Sequence, residues 1–70
     1  MRNTTLKEQE IKSIELIKKD LEDQLRYLKT SSAILNDSKQ ISQHESRWLA
    51  AAIGYLELCI GELDGFLMEV

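Results

Sequence analysis

The stretch His44–Phe66, HESRWLAAAIGYLELCIGELDGF, decides how this chain folds. It is too apolar for an ordinary surface helix, and it carries Gly54, Gly61 and Gly65. From Leu49 the apolar residues run through Ile53, Leu56, Ile60, Leu63, Leu67 and Val70, at spacings of 4, 3, 4, 3, 4 and 3. That is a heptad seam, the spacing that supports knobs-into-holes packing of helices. A second stripe, Trp48, Ala52, Tyr55, Cys59 and Phe66, runs beside it. Together the two stripes cover well over half of a helix circumference. One amphipathic partner helix buries one seam, so the remaining face calls for another chain.

Outward from this segment, the preceding Ser42-x-x-Glu45 is a capping-box pattern that opens a helix. Thr5-x-x-Glu8 opens an earlier one in the same way. Behind Thr5, apolar residues recur at Ile11, Ile14, Ile17, Leu21, Leu25 and Leu28, one stripe along a helix. Three acid-before-base pairs, Glu8/Lys12, Glu15/Lys19 and Glu22/Arg26, mark the opposite face as solvated. Thr30, Ser31 and Ser32 weaken this helix without forbidding it, Leu35 extends the stripe, and Asn36 and Asp37 suggest its stop. The expected architecture is all-α: a single domain over 1–70, with helices at about 5–35 and about 43–68 and a link at about 36–42. The two helices form an antiparallel hairpin, and hairpins assemble into a homo-oligomeric helical bundle.

Composition agrees. A chain of 70 residues buries a small core and usually needs staples or association. Cys59 is the single cysteine, so no disulfide closes within one chain. A lone thiol in an apolar segment reads as a small buried hydrophobe in a reducing, cytoplasmic setting. The net charge of -3 does not favour a partner such as a nucleic-acid polymer. The polar opening MRNTTLKEQE lacks the apolar centre of a secretory leader. Glu57, Glu62, Asp64 and Glu69 interrupt the apolar C-terminal third, so it is expected to be covered by protein and not by membrane.

Catalytic chemistry is not written here, and no enzyme activity is expected. His44 and Cys59 lie fifteen residues apart on one helix, about 22 Å along its axis, beyond reach of each other. Glu57, Glu62 and Asp64 lack the histidines or fixed oxygen-ligand loop of a metal site, and no cofactor is called for. Gly54 and Gly61, seven apart beside Ala50 and Ala51, admit two readings. They are small residues on a crowded packing face, or a smooth groove for close helix approach or a flat ligand. No phosphate-binding fingerprint surrounds them.

Cations and aromatics concentrate at Arg26, Tyr27 and Lys29 and again at Arg47 and Trp48. An antiparallel hairpin is expected to bring these to the same end. There they suit a small anionic ligand with flat bases, by charge pairing and stacking. The plainer reading is a hairpin tip with solvated cations and a core tryptophan.

The run Arg47-Trp48-Leu49-Ala50, following the polar stretch DSKQISQHES, resembles the start of the C-terminal helix in phage anti-CBASS sponges. These are small helical proteins that sequester cyclic-oligonucleotide immune signals. EIKSIELIKKDLE echoes the family's first helix only loosely. The family's tyrosine before that helix has no counterpart in MRNTTLKEQE, and Glu62, Asp64 and Glu69 stand where a base is often found. The resemblance implies a homo-oligomer in the host cytoplasm that holds a cyclic nucleotide or related ligand between chains without turning it over. The alternative is a helical interaction module that inhibits or assembles a larger protein.

Overall fold

A computed structural model describes residues 5–70. The first four residues of the polar N-terminal stretch, on which the reading of no secretory leader partly rests, lie outside the described residues. Helix α1 spans Leu6–Asp37 and helix α2 spans Gln43–Glu69. Among the described residues 89% are helical and none is in a strand. The helices pack against each other along their length, antiparallel, as the pairing of Lys18 with Asp64 and of Lys29 with Glu57 requires. The result is a rod of 60 × 17 × 13 Å.

Both helix starts are closed by reciprocal capping boxes. The Glu8 amide donates to Thr5 Oγ1 at 3.1 Å and the Thr5 amide to Glu8 Oε1 at 2.9 Å. Ser42 and Glu45 repeat this at 3.0 and 2.8 Å. Each box satisfies donors that a helix leaves unpaired at its first turn. The backbone and hydroxyl of Thr5 also hold the Glu8 carboxyl below its ordinary range.

Helix α1 runs unbroken through Thr30–Ile34. Within it the Thr30 hydroxyl donates to the Arg26 carbonyl one turn back, at 3.0 Å, so its polar group is satisfied without leaving the helix. The stop comes after Asn36 and Asp37, which are still helical. Lys39 takes the left-handed conformation with φ 58°. Its amide donates to Asn36 O, and the Gln40 amide to Leu35 O. That is the Schellman closure of a helix, with lysine where glycine is usual.

The hairpin seam corrects the reading of α1. Ile17 was expected in the stripe, but it is 51% exposed. Lys18 takes the place, and the half-buried set runs Ile11, Ile14, Lys18, Leu21, Leu25, Leu28, then buried Ser32, then Leu35. The spacing is now 3, 4, 3, 4, 3, 4, 3, matching the heptad of α2. An apolar residue one position off the seam had masked a lysine on it. Lys18 buries its stem and sends its ammonium sideways to Glu22 at 3.1 Å and Asp64 at 3.5 Å. Glu22 and Asp64 together raise the Lys18 pKa, Glu22 the more strongly. None of the three expected acid-before-base pairs closes as an ion pair among the described residues: Glu22 is taken by Lys18, and Arg26 turns to Asp23 at 3.2 Å.

On α2 the first seam (Leu49, Ile53, Leu56, Ile60, Leu63 and Leu67) faces α1 and is half-buried. Among the described residues no hydrophobic side chain is fully buried. The second stripe stays open, with Trp48 68%, Tyr55 73% and Phe66 43% exposed. A methyl group at Gly54, Gly61 or Gly65 would meet no atom within 4 Å, so they do not line a crowded face of the hairpin.

Candidate functional site

The two sides of the hairpin differ in chemistry. Lys18, Glu22 and Lys29 leave one edge of the α1 seam, and Glu57 and Asp64 leave the facing edge of α2. They close one side with the Lys18–Asp64 bridge and a Lys29–Glu57 bridge of 2.8 Å. Gly61 floors this ionic groove with Leu25 and Ile60. At about 100° per residue, Trp48, Ala52, Tyr55, Cys59 and Phe66 fall across the α2 seam from Glu57 and Asp64. Ile17 falls across the α1 seam from Lys18 by the same rotation, while Tyr27, about 140° from the seam, lies on the outer face of α1. The α2 stripe and Ile17 therefore lie on the opposite, apolar side.

The five cationic and aromatic candidates are not gathered by one chain. Lys29 is level with Glu57, ten residues from Arg47, or about 15 Å along α2. Because α1 continues to Asp37, the Arg26–Lys29 segment lies well below the hairpin tip, and the expectation of a shared end is corrected. Arg26 is held by Asp23 and Lys29 by Glu57. Tyr27 is 64% exposed, on the outer face of α1.

Arg47 and Trp48 form the remaining unit. The Trp48 indole N–H donates to His44 Nε2 at 3.2 Å, and the rings meet edge to face with centroids 6.1 Å apart. Four residues separate them, so one turn of helix α2 sets this geometry. Arg47 and Ala51 complete a shallow groove with them. Arg47 makes no ion pair among the described residues, and the Trp48 ring face is open to solvent. A flat, anionic ligand has there one stacking surface and one guanidinium. The part of His44 in this groove was not foreseen; its spacing of four from Trp48 is the signal that carries it.

Cys59 is exposed in the single chain, because the stripe that carries it has no cover within the hairpin. Among the described residues no group of three or more His, Cys, Asp or Glu side chains is placed to hold a metal ion. No helix among them is long and apolar enough to cross a membrane. No protein-family model matches the chain, and no match is found among curated proteins or solved structures.

Proposed function

We propose that this chain is a non-catalytic association module, a helical hairpin whose task is to present the open apolar stripe of α2 to another helical surface. The observation that carries this is the exposure of Trp48 and Tyr55, at 68% and 73%, on a stripe of regular helical spacing. Aromatic residues on an open helix face are the usual anchors of helix-in-groove recognition. The test compares what the wild-type chain and a Tyr55→Glu variant retain from the producing cell under crosslinking. A bound species lost with the variant supports the reading; identical retention, self-association included, refutes it.

A second reading is favoured by the groove of His44, Arg47, Trp48 and Ala51. In it, the assembled module sequesters a small anionic ligand with flat bases, such as the cyclic oligonucleotide suggested by the sponge resemblance. Mass action alone would then lower the free signal. Titration with a panel of cyclic di- and trinucleotides, followed by quenching of Trp48 fluorescence, tests it. Saturable quenching that is lost in Arg47→Ala, with intact nucleotide recovered after denaturation, supports sequestration. No quenching by any member, or recovery of cleaved product, refutes it.

A further inference from the structure

The rod exposes more surface than its mass calls for. It presents 5796 Å², where a compact monomer of 8.1 kDa presents about 4,500 Å². Its radius of gyration is 16.8 Å, against about 11 Å for a compact chain of this length. The excess is not spread evenly. One side is closed by ion pairs, and the other carries Trp48, Tyr55 and Phe66 of α2. At typical ring areas these three expose about 400 Å² per chain, within the range of the largest patch on a lone soluble protein. Two such patches face to face remove about 800 Å², and with the exposed Ala52 and Cys59 about 1,000 Å², the threshold of a specific interface.

The stripe also matches itself. Trp48, Ala52, Tyr55, Cys59, Glu62 and Phe66 follow one another at 4, 3, 4, 3 and 4, a spacing that reads the same in both directions. A second α2 laid antiparallel therefore meets the first at each layer. Trp48 of one copy comes opposite Phe66 of the other, Tyr55 opposite Cys59, and Ala52 opposite Glu62. Large side chains oppose small ones in the two inner layers, as interdigitated packing demands. Ala52 leaves room for the Glu62 stem to carry its carboxylate out to water. The α1 flank on this side is broken by Asp20 and Gln24, so α2 against α2 removes more apolar surface than α2 against α1.

Resting on the association reading, we infer that a second copy of this chain covers the apolar side, α2 on α2 and antiparallel, with the Tyr55–Cys59 layers flanking the two-fold axis. Light scattering on the eluting wild-type chain at micromolar concentration should give twice the 8.1 kDa chain mass. Tyr55→Glu should weaken self-association about tenfold or more, the loss expected of an interfacial aromatic. Its helicity by circular dichroism should hold, because Tyr55 is 73% exposed in the hairpin. Register is read by Tyr55→Cys, which should form a reducible covalent dimer with Cys59 of the other copy under mild oxidation. Ala50→Cys, on the ionic side, should not. A monomeric wild type, a dimer indifferent to Tyr55→Glu, or equal crosslinking by both cysteine variants overturns the inference. Failure of the association reading itself looks different, since Tyr55→Glu would then leave foreign partners as well as self-association unchanged.

Discussion

Replacing Gly54 and Gly61 by alanine should make this protein markedly more stable. Both glycines lie inside α2, far from its ends, and an added methyl at either meets no atom within 4 Å. No positive φ is recorded for a glycine, so alanine adopts the same backbone without strain. The gain is then the difference in helix propensity, about 0.8–1.0 kcal/mol at each site, much of it through a less disordered unfolded chain. Seven residues put the sites about 10 Å apart, far enough for the effects to add. The double variant should gain about 2 kcal/mol and raise Tm by about 8–16 °C for a domain of this size. Melts followed by circular dichroism at several protein concentrations would measure it, alongside urea midpoints at constant slope. The concentration series separates hairpin stability from association, because only the latter moves Tm with concentration. No gain, or a loss, would refute the argument. It would mean that something outside the hairpin approaches the glycine backbone, and that the side facing away from the aromatic stripe is itself an interface.

Lys39→Gly should stabilise the chain by about 1 kcal/mol, since φ of 58° costs a lysine about that much and a glycine almost nothing; the same melts check it. Ser42→Ala should cost about 1 kcal/mol by opening the α2 capping box, read as lost helicity and a lower urea midpoint. Ser32, 7% exposed on the seam, has room for little more than itself. Ser32→Leu should therefore cost about 1–3 kcal/mol, and Ser32→Ala should not destabilise. In acid, the Glu8 contribution behaves as a depressed carboxylate must. It is present above the ordinary value of 4.5 and lost as pH falls through the lowered folded value. A Glu8→Gln variant should flatten that part of the helicity-against-pH curve. Lys18 has the opposite sign, its contribution present below 10.5 and lost as pH rises through the raised folded value. Lys18→Met should remove that alkaline loss.

Helix starts and the seam of α2 were legible in the sequence because each is encoded locally. Ser42 and Glu45 cap whatever follows them, and the 4-3 recurrence from Leu49 to Leu67 needs no knowledge of the partner, whereas Val70 falls beyond the helix and is 50% exposed. The seam of α1 was legible only in part, because the choice between Ile17 and Lys18 depends on the partner. Hydropathy favours the isoleucine, whereas the rotation that seats Ile14, Leu21 and Leu25 against α2 brings the lysine inward. Lys18 tolerates this because Asp64, which propensity on α1 cannot foresee, stands beside it. The same dependence on the partner hid the pairing of Lys29 with Glu57 and so scattered the candidate site. The stop of α1 at Ser38, beyond Asn36 and Asp37, rests on a left-handed lysine, a residue type with no turn signature. The groove at Arg47 and Trp48 was legible as a pair of residue types, and His44 joins it through the one-turn spacing.

The ion pairs that close one side of the rod also bear on how far assembly can go. Lys18, Lys29, Glu57 and Asp64 spend their charges on each other, which leaves that side hydrated, with Met68 at its end as its one large exposed apolar side chain among the described residues. A rod adhesive on both sides would stack copy upon copy into a ribbon. If copies pair as inferred, about a two-fold axis, the first pairing consumes the aromatic side of each, and the ionic side offers the next copy little to bind. The lysine that interrupts the hydrophobic seam then belongs to the side that such a dimer would leave to water.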